Sequence, residues 1–129
     1  MPAEYRTYTH LRAPGGSYSS AVRNGNFLFI AGTTVGAGAN PPTDSADISQ
    51  QAEAVFRYLG GILEAEGGSY HNLMTVSVFI TEGGRGAYDA VNQARARVFG
   101  EARPASTMVV VKELARPELK IEVNATAMF

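Results

Sequence analysis

From Asp47 to Glu66 the apolar residues Ile48, Ala52, Val55, Phe56, Leu59, Ile62 and Leu63 recur at three- and four-residue steps, which predicts an amphipathic helix with one buried face. Ser45 or Asp47 is placed to cap it, and Gly67-Gly68 to end it. Gly60 and Gly61 lie inside that helix, where each costs about 1 kcal/mol relative to alanine; close approach to a sheet is the expected compensation. A second stripe, Tyr88, Val91, Ala94 and Val98, predicts a helix from about Ala87 to Phe99 after the glycine-rich Glu82 to Gly86. Strand-like runs occupy Tyr18 to Val22 and Phe27 to Ala31, joined by Arg23-Asn24-Gly25-Asn26, whose Asn-Gly suits a tight hairpin. Leu73 to Ile80 alternates, Arg6 to His10 is extended, and Ser106 to Val111 and Leu119 to Met128 are joined by a turn holding Pro117. Val35 to Thr43, with Gly36, Gly38, Asn40, Pro41 and Pro42, reads as a loop within one domain, 1–129. The order β-β-β-α-β-α-β-β is that of an α/β protein, a mixed sheet with two helices.

The last two strands add a consequence. In Leu119 to Ala127, Leu119, Ile121, Val123 and Ala125 point one way, under the helices, and Lys120, Glu122, Asn124 and Thr126 the other. The preceding strand is apolar on both faces, with Thr107, Val109 and Val111 on one and Met108 and Val110 on the other. Two helices cover only one face of a sheet, so an apolar second face needs a partner, and another copy of the chain is the simplest. A homo-oligomer is expected.

Composition narrows the function. A chain of 129 residues buries roughly 65 to 70% of its unfolded surface, so a core forms without metal or disulfide staples. The absence of cysteine excludes disulfides, thiolate nucleophiles and sulfur-ligated zinc. A net charge of -1 argues against dedicated binding to nucleic acid or anionic membranes. No apolar run approaches the ~18 residues of a membrane span, the start from Met1 to Arg6 lacks a signal-peptide pattern, and the cytoplasm is the expected location. His10 and His71 have no metal-ligand spacing, and no P-loop, dinucleotide fingerprint or serine-hydrolase elbow occurs. Glu122 stands out as a carboxylate on a face that a partner covers, where it needs hydrogen bonds or a task.

Gly16-Ser17-Tyr18-Ser19-Ser20-Ala21-Val22, followed by Gly25 to Thr33, resembles the G-P-Y-S-Q-A-V and G-x-x-x-F-x-S-G-Q segments of the RidA family, also called the YjgF/Rid superfamily. The likeness continues through Gln51 to Gly67, Thr75 to Ile80, Ala90-Val91-Asn92, Pro104-Ala105-Ser106-Thr107, where the family has P-A-R-S, and Lys120 to Ala125, where it has K-I-E-I-E-A. The resemblance implies a chorismate-mutase-like fold, a homotrimer whose sheets form a central barrel, and ligand clefts between subunits. It also implies hydrolysis of reactive enamines and imines to keto acids and ammonia, with no metal and no cofactor. In that chemistry the iminium carbon is already electrophilic; the protein anchors the substrate, places a water and accepts its proton.

This sequence departs from the family at three telling positions. The P-A-R-S arginine falls on Ser106, the cysteine after it on Met108, and the second glutamate of the last strand on Asn124. A charge-assisted clamp is worth about 1.5 to 3 kcal/mol, so its loss weakens a carboxylate substrate about ten- to a hundredfold, and simple 2-imino acids are expected to be poor substrates. Arg103 lies at the edge of the same segment, although an arginine beside a proline turn is more often solvated. The resemblance then assigns water activation to Glu122 and leaving-group hydrogen bonding to Tyr18. Ser106 and Asn124 would orient the substrate, Gly32 would let it approach the backbone, and Phe79, Asn92 and Met108 would shape the pocket. Packing for Tyr18 and an interface hydrogen-bond network for Asn124 compete with those roles. Three functions follow: a deaminase-type hydrolase of a small imine, enamine or related C–N compound without the usual carboxylate; a non-catalytic small-molecule-binding or regulatory homotrimer; and, least favoured by the charge, a nuclease.

Overall fold

The two period-3.6 stripes and the alternating runs meet as two layers, helices over one face of a single sheet. The structure is a computed structural model and describes residues 2–36 and 47–129. Six strands, β1 (Glu4–Arg6), β2 (Ala21–Asn24), β3 (Phe27–Thr33), β4 (Leu73–Ile80), β5 (Ala105–Val110) and β6 (Ile121–Met128), alternate with α1 (Ile48–Ala65) and α2 (Arg85–Phe99). The sheet order is β1-β2-β3-β6-β4-β5, with every neighbour antiparallel except the β4–β5 pair. Among the described residues no helix is long and apolar enough to cross a membrane.

Helix α1 starts as its sequence directs. The Asp47 side chain accepts from the Gln50 N–H at 2.8 Å while the Gln50 side chain accepts from the Asp47 N–H at 3.0 Å, a reciprocal capping box. Asp47→Ala should therefore cost about 1 kcal/mol, read as a lower urea midpoint at unchanged slope. At the other end Gly67 takes φ +86°, and the Gly68 N–H reaches back to the Leu63 carbonyl at 2.9 Å. Ser45, the alternative cap, and most of the glycine- and proline-rich loop lie outside the described residues.

The helix glycines answer a different neighbour from the one expected. A Cβ on Gly60 would collide with the Tyr70 hydroxyl, and one on Gly61 would meet the Leu11 side chain, so side chains and not the sheet occupy the space. Tyr70, on a 3-10 turn before β4, uses the gap to donate to the Phe56 carbonyl at 2.7 Å and to pack on Phe99 with ring centroids 4.8 Å apart.

Other boundaries shift for local reasons. The hairpin turn is Gly25-Asn26, with Gly25 at φ +59° and Asn24 paired to Phe27, so β2 runs Ala21–Asn24 and Tyr18 falls in the preceding loop. The first strand is Glu4–Arg6, and His10 lies in a turn. In α2 the buried residues are Ala87, Val91, Ala94 and Phe99; Tyr88, placed in the stripe by its aromatic character, is about half exposed.

Leu119, just before β6, and Ile121, Val123, Ala125 and Ala127 are buried, the four strand residues with Phe56, Leu59, Ile62 and Val91 in one core. Lys120, Glu122, Asn124 and Thr126 are half-buried on the alternate positions. That opposite face also presents Tyr5, Phe27, Phe29, Val109 and Met128 to the surface, with Phe27 and Phe29 stacked. These large apolar groups are spread over β1, β3, β6 and β5 on one face, which is the sheet face expected to need a partner.

Candidate functional site

Two regions receive the candidate residues. The first is a cleft of about 670 Å³ at the end of β3, bounded by the loop that precedes β2, α1 and the segment leading into β6. Its chemistry-bearing residues are Arg12, Tyr18, Ser20, Arg116 and Glu122, with Gly32 in the wall.

A register irregularity between Ile30 and Thr33 breaks the regular β3–β6 pairing at Gly32. A Cβ added to Gly32 would lie 2.7 Å from Glu122 Oε2, so only glycine leaves room for the carboxylate there. Glu122 is half-buried and, among the described residues, has neither a hydrogen-bond donor nor a cation for a partner. Tyr18 packs over Gly16 and its hydroxyl accepts from the Gly15 N–H at 3.3 Å. Tyr18 is thus positioned by its own glycine loop, with its hydroxyl free to donate.

The cleft also holds residues that spacing did not single out. The Arg12 guanidinium lies 4.7 Å over the Tyr58 ring and donates to the Thr34 carbonyl at 2.6 Å, while the Tyr58 hydroxyl donates to the Arg12 carbonyl at 2.9 Å. Arg116 sits 3.2 Å from the Glu118 carboxylate. The Ser20 hydroxyl is buried without a hydrogen-bond partner among the described residues, although in sequence it is only the second serine of a Ser-Ser pair.

Phe79 and Asn124 share the sheet face of Glu122, since Phe79 pairs with Glu122 and Ser77 with Asn124, but neither lines the cleft. The second region lies on the opposite side of the sheet. Ser106 and Met108 pair with Val76 and Val78, which are buried under the helices, and so point to the helical side along β5, the outermost strand. One protomer therefore does not bring Ser106, Asn92 and Met108 to Tyr18, Gly32 and Glu122.

Ser106 has a cationic neighbour that the sequence reading passed over. Arg95 on α2 donates from one terminal nitrogen to Ser106 Oγ at 2.7 Å and from the other to Asn92 Oδ1 at 3.4 Å. Burial, and next the charge of Arg103, push the Arg95 guanidinium below its ordinary pKa, against an opposing contribution from Tyr88. Tyr88, Asn92 and Arg95 recur at four- and three-residue steps and share one helix face, a signal present in the sequence. Arg103 itself turns to the backbone, donating to the Gly100 and Ala102 carbonyls, and so closes the turn after α2.

Comparison with known proteins agrees with this architecture. The chain matches the family described as Endoribonuclease L-PSP over residues 9–129. It is 36% identical over 117 residues to a RutC family protein of Pyrococcus horikoshii, covering 88% of each chain. It is 29% identical over 115 residues to the chloroplastic Reactive Intermediate Deaminase A of Arabidopsis thaliana, covering 86% of this chain and 59% of that one. The crystal structure of a candidate endoribonuclease from Thermotoga maritima superposes with a TM-score of 0.85 at 31% identity, over 98% of this chain and 97% of the other. With the hairpin, the α1 helix and the Lys120 to Ala125 strand all in place, the chain belongs to the YjgF/Rid family.

Proposed function

We propose that this chain hydrolyses a small imine or enamine and releases ammonia, in a cleft that a second copy completes within a homotrimer. The observation that carries this reading is Glu122, a carboxylate directed into a cleft with no hydrogen-bond or ionic partner among the described residues, across a glycine that makes room for it. A relative named Reactive Intermediate Deaminase A supports the reaction class.

Glu122 takes a proton from a water as the water oxygen bonds to the iminium carbon, and the C=N electron pair moves to nitrogen. The proton then passes to that nitrogen, Glu122 takes the remaining proton from the hydroxyl as the O–H electron pair becomes the second C–O bond of the carbonyl, and the C–N bond breaks with its pair on nitrogen, so that ammonia leaves. The Tyr18 hydroxyl donates to the group in departure. No electron transfer is involved, and the reaction as drawn uses side chains and water alone. The exposed apolar groups of the sheet face favour assembly, and assembly would set Ser106, Met108 and Asn92 of a neighbouring copy against the cleft as orienting and shaping groups, with Phe79 and Asn124 from the open sheet face.

Imines generated from a range of amino acids by an oxidase test the proposal. At least one should decay faster with the protein than in buffer, with matching ammonia release; decay at the buffer rate for all of them would refute hydrolysis. A binding or regulatory trimer is the second reading, favoured by the neutral Ser106 where the family carries an arginine. Hydrolysis created from nothing by Ser106→Arg would select it.

A further inference from the structure

Arg95 stands apart from the other arginines. Arg6, Arg23, Arg57, Arg97 and Arg116 pair with carboxylates, Arg12 rests on the Tyr58 ring, Arg103 is bound by backbone carbonyls, and Arg85 is exposed to solvent. Arg95 is half-buried, with two neutral oxygens as its hydrogen-bond partners and no carboxylate among the described residues. Partial burial of a cation without a counter-charge is unfavourable, and Arg103 adds a like charge nearby. An anion relieves both.

The geometry also leaves donors available. Ser106 Oγ and Asn92 Oδ1 each take one N–H, from different terminal nitrogens, so each of those nitrogens keeps a second N–H and Nε keeps its own. Two neutral acceptors thus orient the planar group without neutralising it, at the outer edge of the sheet where β5 has no further strand among the described residues. A planar carboxylate fits such a fork through two parallel hydrogen bonds.

We propose that Arg95, oriented by Ser106 and Asn92, is the specificity-determining cation of this chain and holds the carboxylate of its ligand. This rests on the imine-hydrolase reading and makes 2-imino acids its preferred substrates, against the expectation drawn from Ser106 alone.

Calorimetric titration with 2-oxobutanoate and with its methyl ester, on the wild type, Arg95→Gln and Arg95→Lys, tests the anchor without requiring turnover. The wild type should bind the acid better than the ester, Arg95→Gln should weaken the acid about ten- to a hundredfold and leave the ester unchanged, and Arg95→Lys should fall between. Equal binding of the acid by wild type and Arg95→Gln would overturn the proposal, as would a wild type that binds neither compound or that binds inorganic phosphate more tightly than the acid. An unchanged thermal melt of Arg95→Lys keeps the comparison sound. The outcomes separate from those of hydrolysis: imine turnover insensitive to Arg95→Gln removes the anchor and leaves the hydrolase, whereas Arg95-dependent acid binding without turnover does the reverse.

Discussion

Glu122→Gln is expected to lower ammonia release from a saturating imine by about 10²- to 10⁴-fold, the contribution typical of a positioned general base. The amide keeps the size of the side chain and its room over Gly32 but cannot take a proton from water. Because Glu122 has no protein partner among the described residues, the variant should melt at or slightly above the wild-type temperature. Steady-state kinetics should place the loss in kcat with little change in KM, the pattern of a group used in the transition state more than in binding. A variant that retains wild-type turnover would move the base elsewhere in the cleft.

Gln51→Leu should cost about 2 to 6 kcal/mol of folding stability, the sum of two part-buried backbone groups left unpaired at about 1 to 3 kcal/mol each. Gln51 is fully buried; its amide nitrogen donates to the Glu118 carbonyl at 3.0 Å and its oxygen accepts from the Lys120 N–H at 2.9 Å. Those bonds hold the start of β6 against α1, two residues before Glu122. Leucine matches the volume but supplies neither bond, so urea unfolding should shift to a lower midpoint. Under conditions where the variant remains folded, imine turnover should fall as well. Wild-type stability would show that water replaces the side chain.

Gln51 also shows why helical periodicity recovers a helix and not its tertiary role. The apolar steps from Ile48 to Leu63 report which face of α1 is buried, because burial of those side chains is what the pattern records. A glutamine on that face reads as an interruption, and its value depends on two backbone groups 67 and 69 residues later. Gly60 is similar: the chain marks a residue without a side chain, and the Tyr70 hydroxyl explains it only once the turn before β4 is folded back on α1.

The alternation in Leu119 to Ala127, the spacing in α1, the Asp47 cap and the Gly25 turn were legible from residue order because each rests on interactions within a few residues or on a simple face rule. The family resemblance marked Glu122, Tyr18 and Gly32 for one pocket together with Phe79, Asn92, Ser106, Met108 and Asn124, of which only the first three line the cleft of the protomer, and it set Ser106 where a cation was expected. Tertiary structure decided the rest. It set Ser106 and Glu122 on opposite faces of one sheet and laid α2 beside the outer strand, so that Arg95, eleven residues earlier, reaches the Ser106 hydroxyl. Side-chain reach across packed elements depends on strand register and helix rotation, and those follow from how the whole core closes, which no local pattern encodes.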